Sequence, residues 1–332
     1  MVNASTTPEI KIAPEYLGQE SVRSQLYKAI EGGRLSRSLL LSGPTGSGRK
    51  SLAYRLAAGF AVAGRFNVGF DQPRSEWPED IEKAVRLLEQ GAHPDLILLR
   101  PEGAKREISA KAARGLQQFV STTPSLGKGK VALIENADAL NAESANAILK
   151  VLEEPRPSLA IILIAGNVAS LLPTIRSRCV QFRLDRLGRA AIRSILDQQG
   201  LELAEKPCSL VDGDAELAIE LATAKVDLSA IDGAMDYLTS PASRLLPNVA
   251  SALVALEKSL SSEIVVRLLM QAIRRVYSDQ ASEISLDAQS AEFLSAAQAR
   301  LSQRTSLSLD STASWMDALR QLRAMMTRKP NT

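Results

Sequence analysis

Thiols and imidazoles are almost missing from this chain. Its 332 residues include two cysteines, Cys179 and Cys208, and one histidine, His93. Two thiols cannot supply a four-cysteine zinc module, and a Ser–His–Asp or Cys–His catalytic arrangement would rest on His93 alone. That histidine lies in "GAHPDLILL", just before an apolar run, where a structural role at a turn is expected. Long apolar runs are missing too. No stretch approaches the ~18–20 residues needed to span a bilayer, and the longest, "LAIILIAG", has the length of a strand. The opening "MVNASTTPEIKIAP" lacks the basic region and apolar run of a secretory signal, so a cytoplasmic location is expected. Charge excess is small, +3 with a sequence pI near 8.8, which fits a nucleic-acid partner without requiring one.

What is present is an ordinary globular composition, 45% hydrophobic and 23% charged, of a length that predicts two or three domains. Five short apolar runs recur through the first half: 38–43, 95–101, 130–138, 159–166 and 180–184. Most lack polar alternation, as parallel strands buried on both faces do. Helical patterns at 21–31, 49–63, 78–90, 109–121 and 141–154 alternate with them. Alternation of this kind predicts a doubly wound α/β domain over 1–185, with ligands at the carboxyl ends of its strands. Past residue 185 the strand signal stops. Helices at 188–200 and 212–224 predict a small helical lid domain over 186–230. Further candidates at 243–260, 262–278, 287–303 and 311–328 predict an all-α domain over 231–332.

The stretch "GPTGSGRKS", 43–51, is almost a phosphate-binding loop, and it stands between an apolar strand and a helix as such a loop should. Gly43, Gly46 and Gly48 let backbone amides turn inward, and the following helix adds positive potential, so an anion could be held. The side chains depart from the pattern. Arg49 stands where lysine belongs, and Lys50 stands where a hydroxyl should ligate magnesium. Ser51 restores the hydroxyl one residue late, rotated ~100° around the helix. After the run "KVALI", a hydrolysing enzyme of this class carries a metal-binding aspartate and often a catalytic glutamate. Here Glu135 and Asn136 fill those places, and an amide has no basic oxygen to activate water. Asp138 is expected to cap the helix beginning near Asn141.

With these residues in view, "NAESANAILKVLEEPRPS" (141–158) and "LLPTIRSRCVQFRL" (171–184) resemble the AAA+ subunits of bacterial DNA polymerase III clamp loaders, within them the delta-prime branch. The early "LGQESVRSQLYKAIEGGRLSRSLLLSGPTGSG" and "GAHPDLILL" are similar as well. The resemblance covers about 16–184 clearly and 185–225 weakly. It implies an AAA+ α/β module, a helical lid and a helical collar joining subunits in a hetero-pentameric ring. It also implies that Ser177, Arg178 and Cys179 form the serine-arginine-cysteine motif, with Arg178 the finger placed in a neighbour's ATP site. An arginine pairing with an acid on its own surface is the plainer alternative for Arg178.

Departures from the motor subunits point the same way. Ala165 and Gly166 stand where those subunits keep a sensor hydroxyl, and Glu216 stands where they keep a sensor arginine. The stretch 64–92, where many relatives carry a four-cysteine zinc module, has no cysteine. No cofactor of its own is expected for the chain. ATP and magnesium would sit at the neighbouring subunit, with weak nucleotide binding here left open. The implied partners are the motor subunits and delta, primer–template DNA and, indirectly, the sliding clamp, with no membrane. Arg114, Lys128 and Lys130 are candidates for DNA phosphates, a solvated basic face being the alternative. Three readings stay open: a non-hydrolysing stator, a motor-type clamp-loader ATPase using the shifted loop, and an unrelated AAA+ DNA-processing ATPase. Asn136 and Glu216 favour the first.

Overall fold

The structure, a computed structural model, describes residues 12–33, 35–66, 69–101, 107–154, 156–204, 210–240, 246–280, 296 and 311–327. The apolar runs form five strands: β1 (Ser38–Ser42), β2 (Leu96–Leu99), β3 (Lys130–Ile134), β4 (Leu159–Ala165) and β5 (Val180–Arg183). They build one parallel sheet in the order β2-β3-β4-β1-β5. Successive side chains of a strand point to opposite faces. Leu39 and Leu41 therefore join Val131, Leu133, Ile162 and Ile164 on one side. Leu40, Ala132, Ile134, Ile161 and Leu163 fill the other. With both faces covered, polar alternation has no place in these strands.

The helices of this α/β unit are α1 (Glu20–Glu31), α2 (Arg49–Ala63), α3 (Glu79–Glu89), α4 (Ala110–Ser121), α5 (Ala142–Glu153), α6 (Pro173–Arg176) and α7 (Arg189–Gln198). α2 follows the glycine loop and is buried around most of its circumference, as its run of alanine, leucine and phenylalanine requires. Ser109 and Asn141 cap α4 and α5, their side chains accepting from the amides of Ala112 and Ser144. Asp138 is thus not the helix cap: Asn141 takes that place at 2.9 Å, because its offset of three residues to Ser144 fits the cap geometry.

By internal contacts the chain forms two compact units, Met1–Gln198 with Gly213–Ala215, and Gln199–Asp212 with Glu216–Thr332. The helix Arg189–Gln198, expected to open a lid, groups with the α/β unit. In the second unit, Ala215–Ala224 is followed by helices Ser229–Thr239, Leu246–Ser259, Ser262–Gln280 and Ser311–Thr327. The helix Ser229–Thr239 had no separate expectation. Most of the expected helix 287–303, like Cys208, lies outside the described residues. Among the described residues no helix is long and apolar enough to cross a membrane.

His93 is a turn residue. It is buried, its Nδ1 accepts the amide of Asp95 at 3.2 Å, and burial pulls its pKa down. Asp95 is fully buried and binds the amides of Ser125, Leu126 and Gly127 at 2.6, 2.7 and 3.2 Å. Burial alone would raise its pKa, yet these donors outweigh it and hold the carboxyl below its ordinary value. The stabilisation is therefore present above the unfolded value near ~3.9 and is lost as pH falls through the lower folded value. Asp95→Asn should cost about 2 kcal/mol at neutral pH, because an amide turns donors toward donors. Urea unfolding at pH 7 and pH 3 should show the gap to the parent narrowing in acid; a constant gap would refute the charge-based account.

Candidate functional site

The glycine loop lies at the carboxyl ends of β1 and β4, where an open α/β sheet binds ligands. Gly43, Gly46 and Gly48 have φ of +148°, +70° and +88°. At Gly43 a Cβ would fall 2.3 Å from the Leu184 carbonyl oxygen, and at Gly46 one would fall 1.9 Å from Asp214 Oδ1. Side chains are excluded there by the chain's own packing. The loop is pinned from several directions. Ala215 N donates to Gly46 O at 3.1 Å, from the short turn that groups with the α/β unit. Gln19 Nε2 donates to Ser47 O at 3.1 Å and to Asp185 O at 2.6 Å, and Gln19 Oε1 accepts from Asp185 N at 3.1 Å.

An open cleft of about 440 Å³ adjoins the loop, lined by Thr45, Arg49, Arg100, Glu135, Asn136 and Asp138 among others. Arg49 and Asp138 converge at its wall. A Cβ on Gly166 would lie 3.3 Å from Asp138 Oδ2 and 3.7 Å from Arg49 Nη1, so the bare glycine at the sensor place admits both groups. Asn136 takes a left-handed conformation, φ +49°, which asparagine tolerates better than most residues. Lys50 and Ser51 do not line the cleft. Ser51 Oγ is closed off from solvent without a hydrogen-bond partner.

Glu135, expected at a metal-binding place, is buried and surrounded by donors. Lys50 Nζ lies 3.8 Å from its Oε2, Arg100 Nη2 lies 3.5 Å from its Oε1, and the Tyr54 hydroxyl donates to Oε1. Two cations and a phenol donor already engage this carboxylate. Arg100 and Tyr54 were missed in the sequence. Arg100 directly follows β2, a strand-end position, and Tyr54 lies one turn beyond Lys50 on the same face of α2. Those two placements were the available signals. Glu216 lies in the second unit and pairs with Arg267, Nη2 to Oε2 3.9 Å.

The serine-arginine-cysteine stretch lies between α6 and β5. Arg178 is 38% exposed, its Nη2 3.0 Å from Glu153 Oε1 and its Nη1 3.1 Å from the Thr174 carbonyl. Ser177 Oγ also donates to Thr174 O, at 3.1 Å. Cys179 is buried, its thiol pushed up to about 12 by desolvation, so it packs as a small apolar group. The three basic candidates for DNA do not come together. Arg114 is exposed on α4, 3.8 Å from Glu143. Lys128 is exposed just before β3, at the opposite end of the sheet. Lys130 is a correction: it is buried, its Nζ donates to Phe119 O at 2.7 Å and to Thr122 Oγ1, and it lies 4.0 Å from the Phe119 ring centre. Those bonds direct it inward, capping the end of α4, and no phosphate can reach it. Among the described residues, no group of three or more histidine, cysteine or acidic side chains could hold a metal ion.

Comparison with known proteins adds the remaining information. Residues 18–188, just over half of the chain, match the family model described as DNA polymerase III, delta subunit. The chain is 39% identical over 182 residues to the DNA polymerase III subunit delta' of Pseudomonas aeruginosa, covering 54% of this chain and 52% of that one. It is 32% identical over 205 residues to the subunit delta' of Bacillus subtilis, covering 61% and 59%. Against the subunit tau of Escherichia coli it is 29% identical over 269 residues, covering 79% and 40%. The match thus spans little more than half the length of the delta' relatives. With its five-stranded parallel sheet and degenerate phosphate loop, the chain belongs to the DNA polymerase III delta subunit family, on the delta-prime side of it.

Proposed function

We propose that this chain is the delta-prime stator of a bacterial clamp loader, helping to place the sliding clamp on primed DNA without hydrolysing ATP itself. The observation that carries this reading is the state of Glu135. The carboxylate that would hold magnesium faces the cations of Lys50 and Arg100 and accepts from the Tyr54 hydroxyl, and the neighbouring base position is Asn136. Lys50, the lysine one residue past the phosphate-binding place, is drawn to that carboxylate. Arg49 on the cleft wall leaves a site able to attract an anion, so nucleotide binding without turnover is compatible with the stator role. The same reading places the chain in the cytoplasm beside motor subunits and delta in a pentameric ring, near primer–template DNA. Arg178 is then the finger offered to an adjacent motor.

Purified chain incubated with ATP and magnesium should release no phosphate above background, and Lys50→Ala should change nothing. Magnesium-dependent turnover abolished by Lys50→Ala would overturn the stator reading and make the chain a motor.

A further inference from the structure

Residues 69–77 pack against a buried arginine of α2. Arg55 of α2 is 2% exposed. Its Nη1 donates to the carbonyls of Phe70 and Gln72 at 3.1 and 3.0 Å, and its Nη2 donates to Ala13 O at 2.5 Å. The indole of Trp77 lies against the guanidinium, 4.7 Å from Cζ to ring centre. A guanidinium has five N–H donors. Three bonds are made, and Nε is buried without an acceptor. Nε lies on the edge of the plane with which arginine commonly meets a carboxylate. No carboxylate among the described residues lies within ion-pair distance of Arg55; the nearby Asp71 is paired with Arg23 at 2.6 Å. A buried cation without a counter-ion is costly, and burial pulls this guanidinium down to about 10.

Arg55 lines a cavity of about 350 Å³ together with Arg65, and the lining contains no acid. Its walls are apolar, among them Leu56, Phe70, Trp77 and Ile81. A mostly apolar cavity with a few convergent polar groups is the common form of a small-ligand site. An adjoining cavity of about 440 Å³ continues past Arg65 to Arg37, again without a carboxylate.

We infer that the cavity beside Arg55 and Arg65 binds a carboxylate carried on an apolar body. Arg65, exposed at the junction of the two cavities, is the entry cation, and Arg55 is the buried counter-charge. Bare inorganic phosphate would leave the apolar walls uncovered. Two sources share the required chemistry: an acidic side chain within an apolar segment of a partner protein, and a small organic acid.

The test follows Trp77 fluorescence in a Trp315→Phe background, at constant ionic strength. Probes are 4-phenylbutyrate, its uncharged amide, inorganic phosphate, and an end-capped tripeptide with glutamate between leucine and phenylalanine. Saturable binding of the carboxylates is expected, with the amide about tenfold weaker or worse and phosphate weaker still. Arg65→Ala, which removes only an exposed side chain, should weaken the carboxylates about tenfold, whereas Arg193→Ala, at another exposed position, should leave them unchanged. The tripeptide binding more tightly identifies a partner protein as the source, and phenylbutyrate binding more tightly identifies a small acid. Equal binding of acid and amide, an unaffected Arg65→Ala variant, phosphate binding as tightly as the carboxylates, or no saturation would overturn the proposal.

Discussion

Arg178→Ala is expected to lower the ATPase rate of an assembled clamp loader by about 10³-fold or more at the site it serves, while the variant chain folds normally. The magnitude is that of an arginine finger, which stabilises charge on the transferring phosphoryl oxygens. The fold should survive because Arg178 stands outside the core. Its contacts are one carbonyl and one partly exposed carboxylate, Glu153, at 3.0 Å, and ion pairs this exposed contribute about 0–1 kcal/mol. The Glu153 pair also gives the prediction a second handle. A finger must leave its own acid to reach a neighbour's phosphate, so Glu153→Gln should sustain or raise the rate. Arg178→Lys should not restore it, because a single ammonium cannot reproduce the planar fork. Phosphate release measured in complexes shown to be intact decides the matter. An unchanged rate in Arg178→Ala would leave the arginine as a surface partner of Glu153 and nothing more.

How much of this was legible in the sequence depends on the range of the interactions. The sheet was legible because burial on both faces leaves continuous apolar runs such as Leu159–Ala165, and the structure shortens the expected strands by only a few residues. Degeneracy of the loop was also legible, since it lies in the identities of Arg49, Lys50 and Asn136 at fixed spacing. The fate of Glu135 was not. Tyr54 and Arg100 reach it from positions 81 and 35 residues away, and no local pattern encodes that convergence. Lys130 misled for a related reason. A lysine next to "GKG" reads as exposed, yet it begins a central strand and points beneath the end of α4, where Phe119 and Thr122 receive it. Asp138 was assigned to a cap by proximity to α5, although Asn141 has the correct offset. The first helix after β5 was expected to leave the α/β unit, but Ile192 and Leu196 are buried on it and it groups with that unit. Apolar spacing gives the existence of a helix, not the layer it joins.

Arg55→Met should destabilise the α/β unit by about 3–5 kcal/mol, through the buried acceptors it leaves unpaired. The carbonyls of Phe70, Gln72 and Ala13 would lose their donors inside the protein, and each buried acceptor left unpaired costs about 1–3 kcal/mol. Methionine fills much of the stem volume, so a cavity does not account for the loss. Relief of the cation's own burial offsets part of it, which keeps the expected effect below the sum of three acceptors. Arg55→Lys should recover little, because one ammonium cannot reach three carbonyls on two separate segments while lying against Trp77. The neighbouring contacts are independent of Arg55: Arg74 bonds Glu82 and Glu89 at 2.8 and 2.9 Å, and Arg23 bonds Asp71. Local order around 71–89 should therefore persist in part, and the loss should show as a lower urea midpoint rather than as failure to fold. In a segment without cysteine, the guanidinium ties together backbone that no metal can hold. A midpoint unchanged in Arg55→Met would mean that Arg74 and Asp71 alone organise the segment, and that the three carbonyls find water instead.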